Sequence, residues 1–201
     1  MAKALVIFLH GVGSNGEDLA ALGRHWAPLL PDVIFAAPDA PFSFPHGAGF
    51  EWFSLDGVTL ENRPARVRAA RETFDATLKA ILARHGLSDQ WDKVVLVGFS
   101  QGSIMALDAL ASGRFPLAGV VAFSGRLAFD EPLSPAVQTP ALLIHGHADA
   151  VIPWRESESA AQRLKAAGVP LELQLEPRTE HTISAQGAMR AAAFIAQCLQ
   201  D

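Results

Sequence analysis

The chain has 201 residues, half of them hydrophobic, and a formal net charge of -5. That length suggests one domain over residues 1–201, with enough apolar material for a sizeable core. A mildly acidic chain without a Lys/Arg cluster lacks the electrostatic footprint of a nucleic-acid binder. No apolar run approaches the ~18 residues of a membrane span, so no stable membrane insertion is expected.

The chain opens with the apolar run 4–9, which is too short for the core of a secretory signal and reads as a strand. Further strand candidates are 33–37, 93–97, 117–123, 141–145 and 171–175. All are near-continuous in Val, Ile, Leu, Phe and Ala, as expected for parallel strands buried on both faces. Helical candidates lie between them. Residues 16–26 open with Glu17 and Asp18, acids that suit a helix N-terminus. Residues 63–84 carry Val67, Ala70, Phe74, Leu78, Ile81 and Leu82 at helical spacing, and Gly86 is the stop. Helices over 101–112 and 155–167 stop at Gly113 and Gly168, and 184–200 closes the chain. This alternation predicts an α/β fold: a mostly parallel central sheet with helices on both faces. The one cysteine, Cys198, excludes an intramolecular disulfide and fits a reducing compartment, so the cytoplasm is the expected location. Its place on the last helix reads as that of an inert apolar residue.

Residues 38–62 break the rhythm. They are rich in Pro, Gly and aromatics, among them Phe42, Phe44, Phe50, Trp52 and Phe53. A loop this long is functional or disordered, and dense aromatics argue against disorder.

Two glycine turns compete for the chemistry. The first, Gly11-Val-Gly-Ser-Asn-Gly16, is a literal G-x-G-x-x-G after a strand and before a helix. Asp39 follows at about the distance, ~20 residues, of a ribose-binding acid. That is the pattern of a dinucleotide enzyme, but the aromatic loop starts directly after Asp39, where such a unit would continue regularly. The second, Gly98-Phe-Ser100-Gln-Gly102, is a G-x-S-x-G between a buried strand and a helix. Such a turn lifts the serine hydroxyl clear of the sheet, and its strained backbone favours glycine two positions either side. The following helix aims its first amides at the charge that develops in acyl transfer.

A serine nucleophile needs a base and an orienting acid, which in this kind of fold follow in the order Ser, Asp/Glu, His. Only His145, His147 and His181 follow Ser100. Asp149 sits in the loop after the strand 141–145, beyond His145 and His147, so the order leaves His181. The self-consistent triad is Ser100, Asp149, His181. Read singly, Asp149 could be a solvated turn acid and His181 a surface residue. Glu156 and Glu158 are rival acids expected on the exposed face of a helix. His145 and His147 are expected to shape their loop, His10 to support the first glycine turn, and Ser124 to be structural. The first glycine turn then supplies an oxyanion donor, the Val12 N–H, beside the Gln101 N–H. No cofactor or metal is called for.

Phe8-Leu-His-Gly-Val-Gly13, Gly98-Phe-Ser-Gln-Gly102 and His145-Gly-His-Ala-Asp149 with Val151-Ile-Pro153 resemble the phospholipase/carboxylesterase family of α/β hydrolases, nearly end to end. The resemblance implies a cap-less α/β-hydrolase fold without cofactor, acting on small carboxylic esters or acyl-thioesters, often of medium chain length. Acyl-protein thioesterase and lysophospholipase are the neighbouring activities. It implies that Trp52 lies beside an acyl groove. The aromatic loop from Phe42 to Phe53 is expected to line that groove, with Phe53 and Phe50 as further substrate-binding residues. The sequence departs from the family before the base: a glycine-rich turn is usual there, and this chain has Pro177-Arg-Thr-Glu-His181. A non-catalytic binding protein would be expected to show a broken triad. An apolar groove could also support a homodimer.

Overall fold

The computed structural model describes residues 3–200. Six parallel strands form the central sheet: β1 (Ala4–Leu9), β2 (Val33–Ala36), β5 (Val94–Phe99), β6 (Gly119–Phe123), β7 (Ala141–Gly146) and β8 (Leu171–Glu176). Their order is β2-β1-β5-β6-β7-β8. All five pairings are parallel, with Leu9 beside Gly98 and Phe99 beside Phe123. The chain moves outward one way from β1 to β2 and the other way from β5 to β8. The reversal lies between β1 and β5, so the loops after those strands diverge and leave a crevice, the place where sites collect in open α/β sheets.

The helices are α1 (Gly16–Trp26), α2 (Arg63–Arg84), α3 (Gln101–Ser112), α4 (Trp154–Ala166) and α5 (Ala185–Cys198). Strand side chains alternate between faces, which divides the core in two. Leu5, Ile7 and Leu9 join a cluster with α2, α3 and α4, whereas Val6 and Phe8 join one with α1 and α5. The six apolar positions expected to face inward on α2 are its buried residues. Predicted and observed boundaries agree to within one or two residues.

Two features differ from the sequence reading. Strand β8 alternates instead of running apolar: Leu171 and Leu173 pack on the α4 side, while Glu172 faces Arg190 of α5. It is an edge strand, so only part of its surface needs an apolar environment. The aromatic segment also contains a small antiparallel hairpin, β3 (Phe42–Ser43) with β4 (Phe50–Glu51). The Phe50 amide and carbonyl bond to Ser14 and Gly13, sewing the hairpin to the first glycine turn. Cys198 lies on α5, and burial pushes its thiol up to about 12, so it stays inert.

Candidate active site

Ser100 stands on the turn between β5 and α3 with φ 54° and ψ -116°, a backbone state rare for a residue with a side chain. Its amide donates to the Phe123 carbonyl at 3.0 Å, tying the turn to the end of β6. Both flanking glycines are sterically required. A Cβ on Gly98 would lie 2.5 Å from the Ser103 amide nitrogen, and one on Gly102 would overlap the Leu9 carbonyl of β1.

The Ser100 hydroxyl donates to His181 Nε2 at 3.0 Å, and His181 Nδ1–H donates to Asp149 Oδ2 at 2.7 Å. The sequence-ordered trio thus meets in one line of hydrogen bonds. Asp149 is held at its other oxygen by the amides of Val151 (2.8 Å) and Ile152 (2.9 Å). Burial alone would raise its carboxyl, but the His181 bond and these two amides outweigh it and hold the group below its ordinary value. The Phe99 ring lies 4.9 Å from the His181 ring, centre to centre. The loop carrying His181 is fastened to the Asp149 loop: the Ala148 amide donates to the Thr179 carbonyl, and Gly146 leaves room for that carbonyl. Glu180 is exposed.

The other histidines are occupied structurally. His10 donates from Nδ1 to the Gly11 carbonyl at 2.7 Å and accepts the Ala40 amide at Nε2, 2.9 Å. His145 is fully buried; it donates from Nε2 to the Ile152 carbonyl (2.7 Å) and accepts from the Ser157 hydroxyl at Nδ1 (2.6 Å). Its Nε2 also lies 3.2 Å from Asp149 Oδ2, so it braces the carboxylate. His147 stacks on Trp154. Ser124 is buried at the end of β6 with φ 52°. Glu156, expected on the exposed face of a helix, is part-exposed on α4 and lies 3.8 Å from Arg126.

The first glycine turn lies beside the serine, where a Cβ on Gly11 would touch Ser100 Cβ at 3.4 Å. Among the described residues, the amides of Val12 and Gln101 have no backbone acceptor. Asp39, the candidate ribose-binding acid, instead accepts the Gly16 amide at 2.8 Å. A Cβ on Gly16 would overlap the Ala37 carbonyl. Gly16 therefore serves close backbone packing at the start of α1, whereas Gly13 supplies a positive φ of 77° to the turn and Gly11 lies against Phe99 and Ser100.

Trp52 is almost wholly buried. Its indole N–H donates to the His10 carbonyl at 2.9 Å, and its ring meets Phe74 edge-on. Gln101, singled out in the sequence only for its amide, also clamps this segment: its Oε1 accepts the Trp52 amide (2.7 Å) and its Nε2 donates to the Phe53 carbonyl (2.8 Å). Trp52 and Phe53, with Phe42 and with Ala69 and Ala70 of α2, line a largely apolar cavity of about 410 Å³. Phe50 packs against the α2–α4 core cluster instead.

The sequence profile described as Phospholipase/Carboxylesterase matches residues 1–199. Esterase YpfH of Escherichia coli is 34% identical over 182 residues, covering 90% of this chain and 77% of that protein. Acyl-protein thioesterase 1 of Neurospora crassa is 28% identical, over 89% and 80% of the two chains. Among solved structures, esterase PE8 superposes with a TM-score of 0.84 at 37% identity, covering 98% of this chain and 94% of the other. Arabidopsis thaliana SOBER1, at 24% identity and TM-score 0.82 over 99% and 100%, shares the fold. With the profile spanning nearly the whole sequence and esterases matching it from end to end, the chain belongs to the phospholipase/carboxylesterase family and is a serine hydrolase of the α/β-hydrolase fold.

Proposed function

We propose that the protein hydrolyses carboxylic esters and acyl-thioesters through an acyl-enzyme on Ser100. The observation that carries this reading is the unbroken line Asp149–His181–Ser100. Ser100 Oγ attacks the carbonyl carbon as its proton passes to His181 Nε2, and Asp149 holds the imidazole in the required tautomer. The tetrahedral oxyanion rests on the Val12 and Gln101 amides. The alcohol or thiol then leaves with the proton from His181. Water, deprotonated by the same base, attacks the acyl-enzyme, and His181 returns that proton to Ser100 Oγ as the acyl–Oγ bond breaks and the carboxylic acid is released.

The aromatic cavity is the acyl site in this reading. Its volume, about 410 Å³, falls in the range of small-ligand pockets. Gln101 supports the assignment by joining its wall to the residue that follows the nucleophile. The lone Cys198 favours action in the cytoplasm.

The test is hydrolysis of nitrophenyl esters from acetate to dodecanoate by the protein and by Ser100→Ala. The variant should lose on the order of 10⁴ or more in kcat. Full turnover by the variant refutes the mechanism.

A further inference from the structure

A second cavity, of about 200 Å³, lies where the loop after β6 meets the first turns of α2 and α4. Its lining includes Arg63 of α2, Arg126 of the loop and Glu156 of α4, with Leu127, Phe129 and Leu60 as apolar neighbours. The Arg126 side chain is 12% exposed, and its Nη1 lies 3.8 Å from Glu156. Its Nε is shut away from solvent and makes no hydrogen bond among the described residues. Elsewhere in this protein the Nε/Nη2 edge of an arginine is matched to a carboxylate: Arg71 grips Asp108 through Nε (2.8 Å) and Nη2 (2.7 Å). On Arg126 that edge is left unpaired. Arg63 senses the same charge; burial, and then the nearby Arg126, holds its guanidinium below the ordinary value.

Two guanidiniums against one carboxylate leave a net charge of about +1 around the cavity. That balance suits a singly charged, planar anion better than a phosphate dianion. The loop that carries Arg126 leaves the end of β6 that is tied to Ser100. Phe123, whose carbonyl accepts the Ser100 amide, is three residues before Arg126, a backbone span of at most ~11 Å. Gly125 packs against Ser103, in the first turn of α3.

We propose that Arg126, with Arg63, binds a carboxylate carried by the substrate, so that the enzyme favours esters or thioesters with a second, free carboxylate. This deepens the proposed function and rests on it.

The experiment compares kcat/KM for paired esters in the native protein, Arg126→Gln and Arg63→Gln. One pair is nitrophenyl hemiglutarate against nitrophenyl valerate, with the carboxylate on the acyl side. The other is 4-acetoxybenzoate against phenyl acetate, with the carboxylate on the leaving group. The anionic-to-neutral ratio should fall about tenfold or more in each variant for at least one pair, and the pair tells which side the carboxylate occupies. Ratios equal to the native value in both pairs overturn the proposal. Calorimetric titration with glutarate is independent of turnover: binding that weakens about tenfold in the variants supports the site, and equal or no binding overturns it. Tighter binding of inorganic phosphate than of glutarate overturns the carboxylate assignment. If the native protein cleaves none of the four esters, the Ser100 reading fails, and the titration alone decides this site.

Discussion

His10, His145 and His181 all gather near the Ser100 turn, yet only His181 is partly exposed and reaches the hydroxyl; the other two are at most 1% exposed. Each buried imidazole is fixed as a neutral ring by one donor and one acceptor, so neither competes as a base. Aromatic residues divide in the same way. Trp52 resembled a groove residue in sequence, but its indole is tied into the core by its bond to the His10 carbonyl and by ring contacts with His10 and Phe74, and replacing it would report mainly on folding. Phe42 lines the same cavity and is 44% exposed, so it is the better probe. Phe42→Ala should lower kcat/KM for octanoate esters about tenfold, as expected for losing one large apolar contact, and for acetate esters by less than about twofold. Equal losses at both lengths would remove the groove from the acyl site.

The turn between β5 and α3 is set by contacts to another strand. Gly102 lies against the Leu9 carbonyl, so the elbow and the first glycine turn are built as one unit. Gly102→Ala should cost about 3 kcal/mol or more, because backbone must move to admit the methyl. Gly86 offers the contrast: its φ is +70° but a Cβ there meets nothing, so Gly86→Ala should cost only the backbone strain, about 1–2 kcal/mol. Urea midpoints of the two variants check the ranking, and equal costs would contradict it. Behind the turn, α3 is buried on nearly every residue, including Asp108. That carboxylate is matched by Arg71 of α2 and by Arg114, which also grips Asp75. This network fixes α2, and with it one wall of the proposed acyl cavity, against the helix that starts directly after Ser100.

Across the molecule, His10, His145 and Asp149 share one sign of pH dependence. Burial is the largest influence on both histidines and holds them below their ordinary value. The unfolded chain then takes up protons first. The stability these rings confer is full above the ordinary histidine value, about 6.5, and is lost as the pH falls through their lower folded values. Asp149, also depressed, contributes above about 3.9 and loses its share at still lower pH. The melting temperature should therefore fall steadily from about pH 7.5 to 5. A flat profile over that range would contradict the neutral, buried assignment of the two rings.

Much of this architecture was legible along the chain, because its signals are local. Apolar runs mark strands, the six inward positions of α2 keep helical spacing, and glycines bracket Ser100 where the turn needs them. The order Ser100, Asp149, His181 left one combination consistent with a hydrolase, and those side chains meet. Asp39 shows where local pattern misleads: its spacing suited a ribose, whereas its carboxylate caps the Gly16 amide. The Gln101 clamp on Trp52 and Phe53, the brace from His145 and the meeting of Arg63 with Arg126 have no such signature. The clamp and the arginine pair join residues remote in sequence whose distance is set by sheet order and helix packing, and the brace depends on how the loop after β7 folds back on that strand. Composition and spacing along the chain therefore pointed to the fold and singled out Ser100, Asp149 and His181, whereas the shape and charge of the cavities beyond them arise only when the strands are laid side by side.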